Sequence, residues 1–294
     1  MSDDNAQYGI LLGVDGSPES EAAVRWASTE AIMRKRPLTL MHAIPPVVVS
    51  WPVAYLESSF AESQETNARE VIEQAQKTIQ ASAGSSQPPI VHTELRPIDA
   101  ASALVSASRD AYITVAGSRG RGALGRAMLG SVSSGLVHHG HGPIAIIHAE
   151  ESQAPDITSP VLLGIDGSSA SEDATALAFD EASRRGVGLV ALHAWSDVGV
   201  FPVLGMDWHQ YEDEGHAVLA ERLAGWQERY PDVHVRRRIV CDQPARWLID
   251  ESQQAQLVVV GSHGRGGFTG MMLGSVSSKV ARAAKVPVII VRSR

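Results

Sequence analysis

The chain predicts an α/β fold, built as two tandem copies of one parallel-sheet domain with helices on both faces. Three observations carry this. At 294 residues, and about 150 residues per domain, the length suits two domains. The chain is also written twice: Gly13-Val14-Asp15-Gly16-Ser17 returns as Gly164-Ile165-Asp166-Gly167-Ser168, and His42-Ala43 as His193-Ala194, each 151 residues later. Beyond the middle of the repeat the offset is 144, and residues 117–148 match 261–292 at 14 of 32 positions. Finally, short apolar runs alternate with helical periods, which is the pattern of a buried parallel sheet. Residues 1–150 and 157–294 are the expected domains. The polar, proline-containing stretch from Glu151 to Asp156 is the expected linker.

The elements follow in order. The apolar run 9–14 suits a first strand, and an Asp-Gly-Ser turn follows it. Ala23, Trp26, Ala27 and Ala31 then make an i, i+3, i+4 stripe, which the second copy keeps as Ala174, Leu177, Ala178 and Ala182. Residues 38–44 and 189–195 read as second strands, and 58–83 and 207–230 as long polar helices. Third strands are expected at 90–95 and 233–240, with short helices near 101–108 and 245–252. Fourth strands at 112–116 and 256–260 end at glycine. Helices at 131–139 and 275–284 and fifth strands at 143–148 and 287–292 close each copy. In open parallel sheets a ligand lies beyond the carboxyl ends of the strands.

Composition narrows the function. Apolar residues are 44% and charged residues 20% of the chain, ordinary values for a folded protein. The net charge of −8 argues against a general nucleic-acid binder, which needs a basic face. The one cysteine, Cys241, excludes an internal disulfide and reads as a small buried hydrophobe. No apolar run approaches the roughly 20 residues of a membrane helix. The polar start lacks the pattern of a signal peptide, so a cytoplasmic protein is expected, with no membrane partner.

The sharpest chemical signal is a glycine pattern, G-x2-G-x9-G-S. It runs from Gly117 and Gly120 to Gly130-Ser131, and again from Gly261 and Gly264 to Gly274-Ser275. The first glycine ends a strand and the last opens a helix. Glycine is needed where the backbone approaches a ligand closely, and loop and helix-start N–H groups then favour a phosphate. Ser131 and Ser275 stand where an N-cap hydroxyl is expected.

With these residues the chain resembles the universal stress protein family, in a tandem form, over essentially its whole length. The glycine spacing marks the ATP-binding branch of that family. The resemblance implies Rossmann-like domains of the adenine nucleotide alpha hydrolase type, each a five-stranded parallel sheet of order 3-2-1-4-5. It also implies bound ATP, a homodimer through the fifth strands, an unidentified protein partner, and a role in stress adaptation or growth control. By resemblance, Asp15 and Asp166 face the ribose or a Mg²⁺–phosphate group, and Gly13, Val14, Gly164 and Ile165 let the nucleotide lie close. The backbone at Ala43 and Ala194 reads the adenine edge. The loop residues Ser118, Arg119, Arg121, Gly122 and Ala123 surround the phosphates with Gly117 and Gly120. Ser262, His263, Arg265, Gly266 and Gly267 do so with Gly261 and Gly264. Ser131, Val132 and Ser133 bind the outer phosphates with Gly130, as Ser275, Val276 and Ser277 do with Gly274.

Other nucleotide folds fit poorly. There is no G-x4-G-K-[ST] loop and no G-x-G-x-x-G turn after the first strand. His138-His139-Gly140-His141 fits H-x-G-H, but before the fifth strand rather than after the first, and it reads as a helix end. His42 and His193 read as satisfied core histidines. No repeated His or Glu stands near the loop as a base, so a regulatory ATP-binding module is the first expectation. A slow ATPase or phosphotransferase using the same loops is its rival, and a stress protein merely stabilised by nucleotide is a third reading. The stretches 45–52, with Trp51, and 198–208 are apolar for loops, which suits either packing on the chain's own sheet or long helix, or a lid beside adenine or a partner surface.

Overall fold

The computed structural model describes residues 6–45, 57–120, 128–149, 156–194, 208–264 and 273–292. The chain divides into two compact units, Met1–Ala149 and Glu150–Arg294.

The first unit runs β1 (Ile10–Gly13), α1 (Pro18–Arg34), β2 (Leu38–Ala43), α2 (Glu57–Ala83), β3 (Val91–Arg96), α3 (Ala100–Ala107), β4 (Ile113–Gly117), α4 (Ser131–His139) and β5 (Pro143–Ile147). Its strands lie in the order β3-β2-β1-β4-β5, each described pair parallel. The second unit repeats this with β6 (Val161–Gly164), α5 (Ser169–Arg185), β7 (Leu189–Ala194), α6 (Trp208–Arg229), β8 (Val235–Val240), α7 (Pro244–Ser252), β9 (Leu257–Gly261), α8 (Ser275–Ala283) and β10 (Val288–Val291). Its order, β8-β7-β6-β9-β10, is the same topology, again parallel throughout the described pairs. Corresponding elements start 151 residues apart through α2 and α6, then 144 apart from β3 and β8 through α4 and α8, as the repeat requires.

The central strands are apolar because both sheet faces are covered. Ile10, Leu11 and Leu12 are fully buried, as are Leu163, Val258 and Val259 in the second unit. Helices α1 and α2 pack together on one side of the first sheet, and α3 and α4 on the other. Helix α1 buries the small stripe Ala23, Ala27 and Ala31. Helix α2 is polar overall yet also carries a buried stripe, Ala68, Val71, Ala75, Ile79 and Ala83, at helical spacing. In the second unit Phe179 is fully buried against the rings of Trp226 and Tyr230, with centroids 6.1 and 5.8 Å away.

Each first helix begins the same way. Ser17 caps α1 by accepting from the Ser20 N–H, and Ser168 caps α5 by accepting from the Ser171 N–H. Within α1, Arg34 Nε donates to Glu30 Oε2 at 3.0 Å with both side chains buried. Arg185 and Glu181 repeat the pair in α5 at 3.0 Å. Cys241, expected to be buried, is half-exposed just after β8. What burial it has, with the charge of Asp242, pushes its thiol above the usual value.

Candidate functional site

The carboxyl ends of β1, β2 and β4 frame a cavity of about 260 Å³ in the first unit. A cavity of about 730 Å³ stands at the same place in the second unit. Every described residue lining the first cavity, Ala103 apart, has its repeat counterpart lining the second.

Asp15 lies just past the end of β1 and is held from two sides. Its N–H donates to Ser20 Oγ at 3.1 Å, and its Oδ1 accepts from the Ser17 N–H at 2.9 Å. The helix cap and the carboxylate are therefore separate residues, with Ser17 capping and Asp15 closing the turn before it. Its Oδ2 lies toward the glycine loop, where a β-carbon on Gly120 would be 2.5 Å from it. Asp166 repeats the arrangement. Its Oδ1 accepts from the N–H and hydroxyl of Ser168 at 2.9 and 2.7 Å, and a β-carbon on Gly264 would lie 2.5 Å from its Oδ2.

The carbonyls just before these aspartates are also anchored. His42 Nδ1–H donates to the Val14 carbonyl at 2.7 Å, and His193 Nδ1–H to the Ile165 carbonyl at 2.8 Å. Both rings are buried, as satisfied core histidines should be. Their work is to hold the strand end from which each carboxylate projects.

The glycine loop is closed on itself. The Gly130 N–H donates to the Ser118 carbonyl at 2.8 Å, and the Gly274 N–H to the Ser262 carbonyl at 2.7 Å. Ser133 Oγ donates to the same Ser118 carbonyl at 2.8 Å, while Ser277 Oγ donates to the Gly261 carbonyl at 2.6 Å. These two hydroxyls are buried staples of the loop and not free phosphate donors. The N-cap expectation for Ser131 and Ser275 is corrected. The caps are Gly130 and Gly274, neither with a side-chain bond, and each serine is the first helical residue. The reason is steric, since a β-carbon on Gly130 would press on the Arg119 backbone at 3.3 Å. With no side chain capping it, the start of α4 offers the N–H groups of Ser131, Val132 and Ser133 at the cavity wall, and α8 offers those of Ser275, Val276 and Ser277.

Gly117 serves packing more than ligand approach. A β-carbon there would lie 2.8 Å from the Glu19 carbonyl carbon, and one on Gly261 would lie 2.9 Å from that of Ala170. Gly117→Ala is therefore expected to destabilise the first unit by about 1–3 kcal/mol, because backbone must move to admit the methyl group. Urea unfolding of the full chain checks this; an unchanged midpoint would contradict it.

The loop cations differ between copies. Arg119, placed by resemblance beside the phosphates, pairs its guanidinium with Glu19 at 2.6 Å, tying the loop to α1. In the second unit the corresponding residues are His263 and Ala170, and His263 Nδ1 lies 2.8 Å from Ser262 Oγ. Arg121, Gly122, Ala123, Arg265, Gly266 and Gly267 lie outside the described residues. So do Trp51 and nearly all of the two apolar loops. His138, on the last turn of α4, bonds through Nδ1 to the Ser134 carbonyl at 2.8 Å, and the histidine cluster lines neither cavity.

The structure brings together Gly13, Val14, Asp15, Ala43, Gly117, Arg119 and Gly120 with the start of α4. It does the same for Gly164, Ile165, Asp166, Ala194, Gly261, His263 and Gly264 with the start of α8. Ser118 and Ser262 are buried behind the loop and line neither cavity. Sequence reasoning missed Ser20, Met41 and Leu104, with their counterparts Ser171, Leu192 and Leu248. A signal existed for two of them. Serine recurs at 20 and 171, and leucine at 104 and 248, where it packs against the bare α-carbon of Gly13 or Gly164.

Comparison with known proteins points one way. The profile described as the universal stress protein family matches residues 9–148 and again residues 158–292. A universal stress protein of Mycolicibacterium smegmatis is 58% identical over 288 residues, covering 98% of each chain. One of Mycobacterium tuberculosis is 51% identical over 293 residues, covering 99% of each. The crystal structure of a universal stress protein from Archaeoglobus fulgidus matches with a TM-score of 0.72 over 97% of this chain and 98% of its own. At 20% identity that last likeness is one of fold.

Proposed function

Because this chain belongs to the universal stress protein family, as two copies of its domain in tandem, we propose that it is an ATP-binding regulator. Nucleotide occupancy would set its conformation or assembly, and a protein partner would read that state in stress adaptation or growth control. The observation that carries this reading is one cavity built twice, with a glycine loop, an uncapped helix start and a strand-end carboxylate converging on it. N–H donors and a helix dipole suit phosphate, and the apolar wall of Met41, Ala43 and Leu104 suits a purine ring.

A carboxylate facing a triphosphate repels it unless a cation or a ribose hydroxyl intervenes. Mg²⁺ fits the donor set, because it is commonly held by one carboxylate together with substrate phosphates. Asp15 Oδ2 in the first unit and Asp166 Oδ2 in the second would hold it. When bound, the ion would supply neutralisation of phosphate charge. Among the described residues lining the first cavity, Asp15 is the one carboxylate, and half of it is engaged by the Ser17 N–H. That favours holding nucleotide over turning it over.

The reading carries with it a cytoplasmic location, a homodimer and no nucleic-acid partner. Among the described residues no helix is long and apolar enough to cross a membrane. The test is purification without added nucleotide, then denaturation and chromatography of what is released. About two ATP per chain is the expected result, one for each cavity. ADP alone would make the protein a slow ATPase instead. No nucleotide, with no binding of added Mg-ATP, would make the glycine loops architectural.

A further inference from the structure

The second cavity is not a plain copy of the first. It extends past the shared positions along α7, adding Arg246, Ile249 and Asp250, and it reaches Lys279 on α8. The first unit has Ser102, Val105, Ser106 and Gly135 at the corresponding places, and none of these lines its cavity. One helix contact differs between the copies. A β-carbon on Gly135 would lie 3.1 Å from the Ala101 β-carbon, so glycine lets α3 and α4 meet closely there, whereas α8 carries Lys279 at that position. The second cavity, reaching along α7 to Lys279, measures about 730 Å³ against about 260 Å³ for the first.

Taking the nucleotide reading above as its basis, we infer that the second site takes an adenine dinucleotide. By this we mean an adenine nucleotide joined to a second nucleoside through a polyphosphate bridge, with the second arm in the α7–α8 cleft. Three chemistries in the cleft match that arm. Arg246 and Lys279 are exposed cations that can meet bridge phosphates. Arg246 is engaged only loosely, 3.9 Å from Asp250, with 73% of its side chain exposed. Asp250 accepts hydrogen bonds, as ribose hydroxyls require, and Ile249 gives an apolar surface for a ring.

The probe is diadenosine tetraphosphate, compared with ATP by titration calorimetry on the full chain. Wild type is expected to bind one diadenosine tetraphosphate per chain about tenfold or more tighter than ATP. Arg246→Ser with Lys279→Ala should remove that preference and leave ATP affinity and stoichiometry unchanged. Both replaced side chains are exposed, serine is what the first copy holds at the equivalent position, and alanine is the best helix former, so folding is kept. A thermal melt of the variant verifies this. No preference in wild type, or a preference that survives the double substitution, overturns the inference while ATP binding stands. Loss of ATP binding at both sites in wild type overturns the nucleotide reading and this inference together.

Discussion

Gly120→Ala is expected to weaken ATP binding at the first site by at least about tenfold while leaving the fold as stable as before, or more so. The new methyl group falls 2.5 Å from Asp15 Oδ2, which is the mobile end of a side chain and not backbone. The carboxylate gives way at little cost. It cannot give way freely, however, because Oδ1 is held by the Ser17 N–H, so Oδ2 turns out of the position that faces the ligand. Gly120 is not among the glycines with positive φ, so alanine suits its backbone and reduces the freedom of the unfolded chain. Gly264→Ala should act in the same way on Asp166 in the second unit. Titration calorimetry and a denaturation curve on each variant read the two halves of the prediction. Affinity and stability falling together would mean that the glycine shapes the loop and does not make room for the carboxylate. The contrast with Gly117→Ala is diagnostic, because there the added carbon meets Glu19 backbone and stability is what should fall.

Arg34→Met should destabilise the first unit by about 3–5 kcal/mol, the cost of leaving a buried carboxylate without its counter-charge. The Glu30 side chain is wholly buried and that of Arg34 is 2% exposed. The guanidinium also donates to the Tyr112 hydroxyl at 2.6 Å and stacks over that ring 5.0 Å from its centre. Removing Arg34 therefore takes a partner from the buried Glu30 and from the half-buried Tyr112. Replacing both ionic partners, as Glu30→Leu with Arg34→Met, should recover most of the loss, since an apolar pair carries no desolvation penalty. The second unit has the same pair as Glu181 and Arg185, but Gln256 stands where Tyr112 does. Arg185 is also partly exposed, so Arg185→Met should cost less. Denaturant unfolding monitored for each unit reads these values. A cost below about 1 kcal/mol for Arg34→Met would place the pair with ordinary surface ion pairs.

The elements were legible because the repeat supplies a second reading of each. Helix α4 was expected at 131–139 and is Ser131–His139. The other boundaries fall within a residue or two, because apolar runs and their flanking glycines and prolines punctuate both copies alike. Which residues gather was legible too, for glycines and aspartates at strand ends on one sheet edge must meet. What each atom does was not. Ser131 looked like a cap and is a first helical residue; the Ser133 hydroxyl is a staple of the loop, which leaves its backbone N–H, not its side chain, at the cavity wall. Arg119 looked like a phosphate contact and pairs with Glu19, a residue a hundred positions earlier. Such partnerships depend on which neighbour lies within about 3 Å, and sequence spacing does not encode that across separate elements.

The sequence by itself determined the tandem α/β plan, the strand ends on which the sites stand and the family to which the chain belongs, because periodicity and repetition are properties of order along the chain. Only the tertiary structure decided that the two sites are unequal. Gly135 and Lys279 are single unremarkable letters until the cavity of the second unit runs along α7 to Lys279 and that of the first does not, and cavity size depends on packing across the sheet face rather than on any local pattern.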